Sequence, residues 1–448
     1  MILNCDITTL FVNTLLKSVK IFHNKYHTDF VMCFHSFFRE IRSPFDYLYI
    51  KILRVFLKMI NSWPSKELGE HKPSFISILT SVITSAIPFI HIVSLSLYIA
   101  LCSGDLTFLD LGSEYIVIFM TIAILSRLLT LSFSVKYRDL AKEFLTQIHL
   151  FYFKDNSEYA MKTHKRIHVI SHLFCLWLAV QTIAGPILYN VIPVYNYFSS
   201  GHYMETGTRN ITFEIAGYIL YPFHTYSSTK AYFAICAFNC LSSFLAGIWF
   251  CMIDLILSLM VFNTWGHLNI LLNKLNTFPR PKQRPDEIQV SCDTYSANEL
   301  LAISELLKDC VNYHRLIVGF TKKISDAFGV MLLVYYTFHQ VSGCLLLLEC
   351  SQMTTGALIR YIPLTLTVFQ QLIQLSVIFE LIGTASEELK NGVYGLPWEL
   401  MDVKNRKTVL IFLMNVQEPI HVKALGIANV GVTLMATVRM SFLFMSQY

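Results

Sequence analysis

Seven apolar runs, at about 74–102, 114–133, 169–194, 231–262, 327–350, 361–383 and 424–446, are each long enough to cross a bilayer. A backbone inside hydrocarbon has to bond its own amides, so runs of this length predict an all-α membrane protein of seven transmembrane helices. Only 15% of the 448 residues are charged and 54% are hydrophobic. A set of soluble domains would carry about 25% charge, so that class is excluded.

The lysines and arginines between the runs fix a direction. The segment before the first run holds ten, and those after the second, fourth and sixth hold seven, eight and five. The segments after the first, third and fifth hold none, two (Arg209, Lys230) and one (Arg360). Cytoplasmic loops carry the excess of basic residues, which predicts a cytoplasmic N-terminus and, after seven crossings, an extracellular C-terminus at Tyr448. The sequon Asn210-Ile211-Thr212 falls in the long external segment 195–230, where a glycosylation acceptor belongs. The net charge of +5 lies mostly on the inner side, which suits contact with anionic membrane lipid and not nucleic acid. The first 30 residues show no cleavable signal peptide, so the first run serves as the insertion signal. Cys102 and Cys350 are the pair that an external disulfide could join, with free thiols the expected state; the other cysteines read as buried or cytoplasmic thiols.

The organisation follows. Residues 1–42 form a variable leader, and 43–66 a cytoplasmic amphipathic helix with Leu48, Ile52, Val55/Phe56, Met59/Ile60 and Trp63 on its apolar stripe. That helix is stopped by Pro64 and is expected to lie at the inner membrane surface. Spans one to four occupy 74–262. Residues 263–325 are cytoplasmic: the fourth span runs on through Asn276, a Pro/Lys/Arg-rich loop follows, and 298–325 resume as an amphipathic helix. Its stripe is Leu300, Ile303, Leu307, Cys310/Val311, His314 and Ile317/Val318. Spans five and six occupy 326–383, a cytoplasmic segment with a short helix at 405–416 occupies 384–423, and 424–448 is the last span. The unpartnered stripes predict a helical cytoplasmic anchor layer used for oligomerisation.

No motif of catalysis is present: no Gly-rich phosphate loop, no GxSxG and no HExxH, so an enzyme is not expected and no cofactor is implied. His164, His168 and His172 share a helix face but lack a carboxylate or cysteine to complete a metal site, and read as interfacial histidines. Arg127, Asp254 and Glu380 fall near inner helix ends, where snorkelling to water is expected. His91 and His339 sit deeper, His339 beside Tyr335, Tyr336 and Phe338. In the last run Asn429, Thr433, Thr437 and Ser441 recur every four residues, and Gly426, Ala428, Gly431 and Ala436 keep it slim. Such a stripe can wet a conduction path, with Phe442, Met445 and Tyr448 as a hydrophobic ring at its mouth; alternatively the hydroxyls bond back to carbonyls one turn earlier.

Phe379–Leu389, with Val393-Tyr394 and Trp398, resembles the end of the sixth span of insect odorant receptors. Arg406-Lys407, the apolar Thr408–Met414 and Gln417-Glu418-Pro419-Ile420 are similar to the segment that follows there, and Val438–Met445 to that family's ending. The likeness covers about 44–448. Met440 stands where Thr is usual, and Phe442 and Phe444 where tyrosines are. The resemblance implies a subunit that assembles with a shared olfactory co-receptor into a tetrameric, odorant-gated, non-selective cation channel in the plasma membrane of olfactory neuron dendrites. It implies a pore lined by the last span, with Met445 at the gate and Tyr448 outermost. It also implies a pocket for a small hydrophobic volatile, mapped here onto Phe119, Met120, Gln181, Gly185, Tyr189, Tyr232, Tyr335, Tyr336 and His339. A gustatory receptor subunit is the rival within this architecture, disfavoured by the missing Thr-Tyr pair near the C-terminus. A G-protein-coupled receptor is disfavoured by the inverted charge pattern, and a transporter by the lack of internal repeats.

Overall fold

The computed structural model describes residues 41–70, 75–102, 104, 108–199, 219, 229–281, 295–351 and 355–435. Helices dominate: α1 (Leu48–Met59), α2 (Phe75–Cys102), α3 (Phe108–Phe133), α4 (Val135–Glu143), α5 (Glu158–Ser199), α6 (Thr229–Asn276), α7 (Ala297–Ser351), α8 (Thr355–Tyr394) and α9 (Val403–Asn415). Of these α2, α3, α5, α6, α7 and α8 are long and apolar enough to cross a membrane, which makes this a multi-pass membrane protein. They hold the first six expected spans. The seventh falls mainly at 436–448, outside the described residues, as do the leader 1–40 and Asn210.

α6 is the axis of the bundle. Within its most apolar stretch 83% of residues are buried, against 22% for α2 and 28% for α5. A helix that is apolar all round belongs in an interior, and α5, α8, α7, α3 and α1 all pack on it. At Gly247 an added Cβ would come 3.3 Å from the Thr182 carbonyl of α5, so the glycine permits close approach.

Two expected boundaries dissolve. The cytoplasmic helix 298–325 and the fifth span are one rod, α7, of 55 residues, about 80 Å long at 1.5 Å per residue. The cytoplasmic stripe is legible in it: Ile303, Leu307, Cys310, His314 and Ile317 are all buried. α8 likewise continues past 383 to Tyr394. α9 then packs back on this arm. Its N-cap Asp402 accepts from Asn405 N–H, the Asn405 amide donates to Leu300 O (3.2 Å), and Phe412 meets the His314 ring. Val403, Leu410, Ile411 and Met414 stay exposed on its other face.

α1 packs on protein, and its buried face is rotated from the expected one. Met59, Ile60 and Trp63 of the expected stripe are buried, but Tyr49, Ile50, Leu53 and Leu57 are buried in place of Leu48, Ile52, Val55 and Phe56, which are only half-buried flanks. The neighbours that set this face are α2, α5 and α6. Glu70 pins the exit of α1, taking Arg54 (3.0 Å), Lys58 (2.7 Å) and the Trp63 indole N–H (3.0 Å). Burial raises its carboxyl pKa, but the bonds from Lys58 and Trp63 and the two nearby cations outweigh that and hold it below the usual range.

The last expected run does not begin as a helix. Lys423–Ala424 pairs antiparallel with Ala428–Asn429, forming strands β1 and β2. The turn between them places Leu425 (φ 49°) and Gly426 (φ 73°) in the left-handed region, which a helix cannot contain. Leu425 N–H donates to Gly329 O of α7 (3.1 Å), and a Cβ at Gly329 would meet that nitrogen at 2.9 Å. Helix resumes only at 432. Asn429 therefore sits on β2, off the helical stripe expected to continue from it. Cys102 and Cys350 are free thiols.

Candidate functional site

A cleft opens among four helices in the membrane-spanning region. α2 contributes Ile87, Pro88 and His91; α3 contributes Val117, Met120, Thr121 and Ile124; α5 contributes Tyr189. α6 supplies the longest wall, with Asn239, Ser242, Ser243, Leu245, Ala246 and Trp249. As the side chains stand the cavity is about 50 Å³, below the roughly 300–1,000 Å³ of small-molecule pockets. Pro88 lies inside α2 and lacks the amide that would bond one turn back. On the opposite side Asn190 donates to Ser243 Oγ (2.8 Å) and to Pro186 O (2.8 Å), tying α5 to α6.

The floor is Trp249, which is fully buried. Its carbonyl accepts from Arg127 Nη1 at 3.4 Å, and the next carbonyl, Phe250 O, accepts from the same atom at 2.7 Å. Arg127 Nη2 also lies 2.9 Å from Asp254 Oδ1. The expectation that both charges snorkel to water is corrected here: their side chains are 0% and 2% exposed. Pairing replaces hydration, and the guanidinium further stacks over Phe250 (4.3 Å) and Tyr335 (5.0 Å).

Below that pair lies a polar core on α7 and α8. Tyr335 Oη donates to Gln371 O (2.9 Å), and Tyr336 Oη bonds Ser376 Oγ (3.0 Å). His339 Nδ1–H donates to Tyr335 O (2.9 Å).

The residues mapped as a ligand cage thus fall into separate places. Met120 and Tyr189 line the cleft. Tyr335, Tyr336 and His339 form the core beneath its floor. Phe119 packs on the apolar core, and Tyr232 is buried with its ring against Phe233. Gln181 bonds Gln370 across α5 and α8, in a ladder that continues to Gln374 and the Trp177 indole. An added Cβ at Gly185 would meet nothing within 4 Å. The α6 wall was missed, although Asn239, Ser242 and Ser243 in an apolar run were its signal.

Of the residues mapped to the pore, Asn429 and Thr433 are described, whereas Thr437, Ser441, Met445 and Tyr448 lie outside the described residues. Glu380 is half-buried and also makes a contact that the sequence did not suggest. Its Oε2 accepts from Val432 N–H (2.9 Å) at the start of the last helix, and an added Cβ at Gly431 would come 2.5 Å from the same oxygen.

Where α1 meets α5, Tyr47 Oη bonds His164 Nε2 (2.9 Å), its ring lies 4.7 Å from that of His168, and Tyr49 Oη bonds His149 Nε2 (3.3 Å). Among the described residues no group of three side chains is placed to hold a metal ion. Burial drives the His149 pKa down to about 3, with the neighbouring histidines adding to it.

The fold is shared with solved structures. The olfactory receptor OR5 from Machilis hrabei superposes with a TM-score of 0.70 at 13% identity, covering 88% of this chain and 96% of that one. The same receptor in complex with eugenol gives 0.69 at 12% identity, with the same coverage. In sequence, the chain is 28% identical over 145 residues to "Putative odorant receptor 85d" of Drosophila melanogaster, a match spanning 31% of this chain and 34% of that relative. The sequence profile described as "7tm Odorant receptor" matches residues 107–442, well over half of the chain, and the cleft, the buried charge pair and the α8 contact to the last helix all fall largely within that stretch. The chain belongs to the 7tm odorant receptor family.

Proposed function

We propose that this chain is an odorant receptor subunit that binds a small hydrophobic volatile in the cleft and opens a non-selective cation channel together with an olfactory co-receptor. The observation that carries the reading is the cleft itself: a mostly apolar cleft with a few polar groups, set among four helices of the membrane-spanning region in a chain of this family. A volatile gains mainly from apolar burial, and Met120, Tyr189, Ile87, Ile124 and Trp249 supply it. Binding opens the pore to the extent that the ligand prefers the open state.

The basic-residue pattern supports a cytoplasmic N-terminus, with the last span leading outward to Tyr448. In that span Thr433, Thr437 and Ser441 wet the path, and Met445 gates it. The exposed apolar face of α9, Val403, Leu410, Ile411 and Met414, supports subunit contacts in the cytoplasmic layer. The subunit acts as a receptor and not as an enzyme, in the plasma membrane of an olfactory neuron's dendrite, with Asn210 as an external glycosylation site.

The test is whole-cell current in response to volatile esters, alcohols, aldehydes and terpenes, with the chain expressed alone and with a co-receptor, and with G-protein signalling blocked. Odorant-evoked cation current that requires the co-receptor is the expected result. Silence in both conditions with the chain at the cell surface overturns the reading.

A further inference from the structure

We propose that a second cavity, remote from the cleft, binds a small zwitterion with an aromatic body, of the aromatic amino-acid class. The proposal is independent of the odorant-receptor reading.

The cavity lies where α6 and α7 run on past their membrane-spanning parts and meet the 3-10 turn Leu150–Asn156. α6 lines it with Ile270 and Lys274, the turn with Phe153, and α7 with Asp309, Asn312, Tyr313 and Leu316. Its free volume is about 270 Å³, against about 50 Å³ for the cleft, and close to the lower bound of about 300 Å³ for ligand pockets. Lys274 stands twelve residues beyond the expected end of the fourth span at 262, about 18 Å along the helix. A headgroup layer is only about 5–8 Å deep, so the site draws its ligand from water and not from lipid.

One wall is fixed in advance. Ile148 O can only accept, so His267 Nε2 carries the ring proton toward it (2.6 Å), and Nδ1 accepts from Tyr313 Oη (2.7 Å). The Phe153 ring stands nearly perpendicular to that of His267 (4.7 Å) and 5.9 Å from that of Tyr313. Three interlocked rings give an aromatic wall that loses little freedom when a ligand arrives.

The charges select the ligand. Lys274 Nζ lies 5.3 Å from the centre of the Tyr313 ring, and Asp309 sits one helical turn before Tyr313. Both line the cavity, yet among the described residues neither belongs to an ion pair. An acid alone would bring its charge near Asp309, and an amine alone would bring its charge near Lys274. A zwitterion satisfies both, with its carboxylate on Lys274 and its ammonium on Asp309. The Asn312 amide shares the α7 face of Asp309 and can donate or accept, so it serves either end. An aromatic body then packs on Phe153, Ile270 and Leu316.

The experiment is equilibrium binding to the purified full-length chain in detergent, with ligands matched in ring. L-Phenylalanine is compared with 3-phenylpropionate and phenethylamine, and L-tryptophan with indole-3-propionate and tryptamine. At least one amino acid is expected to bind about tenfold tighter than both of its singly charged analogues. Asp309 is exposed and Lys274 half-buried, so both tolerate substitution. Lys274→Gln is expected to weaken amino-acid binding about three- to tenfold and to leave the amine as tight or tighter. Asp309→Asn is expected to weaken the amino acid by a similar factor and to spare the acid instead. Opposite responses of acid and amine separate recognition from loss of structure. Amino acids that bind no tighter than their analogues overturn the proposal, as do variants that weaken all three ligands alike. A wild-type chain that binds no amino acid at millimolar concentration overturns it too, and none of these outcomes bears on odorant-evoked current.

Discussion

Arg127 and Asp254 form an ion pair at 2.9 Å directly beneath Trp249, with both side chains removed from solvent. Arg127 also holds the carbonyls of Trp249 and Phe250, so one side chain from α3 staples the segment of α6 that floors the cleft. Breaking a buried pair from one side strands a charge and costs about 3–5 kcal/mol, whereas replacing both partners by apolar groups is often close to neutral. Asp254→Ala is therefore expected to lower thermal stability in detergent and surface expression severely. Arg127→Met with Asp254→Leu is expected to recover most of both, because the two carbonyls keep their helical partners. A double variant as damaged as the single one contradicts this account.

His149 makes the packing of α1 against the bundle sensitive to acid. Its Nδ1 accepts from Phe151 N–H (3.2 Å), which leaves the ring proton on Nε2 facing Tyr49 Oη. Burial lowers the folded-state pKa to about 3, so between that value and about 6.5 the unfolded chain binds a proton that the folded chain refuses. Stability from this group is complete above about pH 6.5 and is lost as pH falls toward 3, by at most about 1.4 kcal/mol per pH unit. The melting temperature in detergent is expected to drop between pH 7.5 and 5.5, and His149→Gln to flatten that slope. An unchanged slope in the variant assigns the acid response elsewhere.

How much of this could be read from the sequence depends on which interaction set each feature. Six of the seven runs became helices at nearly the expected places, because span length and low charge are local requirements of hydrocarbon. The cytoplasmic stripe on α7 was legible for the same reason: Ile303, Leu307, Cys310, His314 and Ile317 repeat at helical spacing. Contacts between distant segments were not legible. Arg127 and Asp254 are 127 residues apart, and position along a helix alone made water the natural partner for each. The hairpin at 423–430 was hidden inside an apolar run, although Gly426 two residues after Ala424 was a breaker signal. The aromatic residues Tyr335 and Tyr336 look like a ligand cage by type, yet their hydroxyls are committed to Gln371 and Ser376 on α8.

The rotated face of α1 gives a direct comparison. Leu53 and Leu57 are fully buried, while Leu48 and Phe56 flank the interface. Truncating a buried leucine costs about 2–5 kcal/mol. Leu53→Ala or Leu57→Ala is expected to lower thermal stability in detergent clearly more than Leu48→Ala or Phe56→Ala. The reverse order would restore the membrane-facing stripe expected from spacing.

Glu380 joins the sixth span to the last one, and its role separates by variant. Its carboxylate accepts the Val432 N–H in the first turn of the last helix, where unpaired amides and the helix dipole favour a negative charge. Glu380→Gln keeps an acceptor and loses the charge; Glu380→Ala loses both. Gly431→Ala drives a methyl into the same carboxylate from the other side. If this contact positions the helix that begins at Val432 for the proposed gating, Glu380→Ala and Gly431→Ala change ligand-independent current and the half-maximal odorant concentration at equal surface expression, with Glu380→Gln intermediate. The contact weighs on the closed and open states unequally only if the helix moves at Val432. Resting and evoked currents that stay at wild-type levels in all three variants would make the bond a static cap.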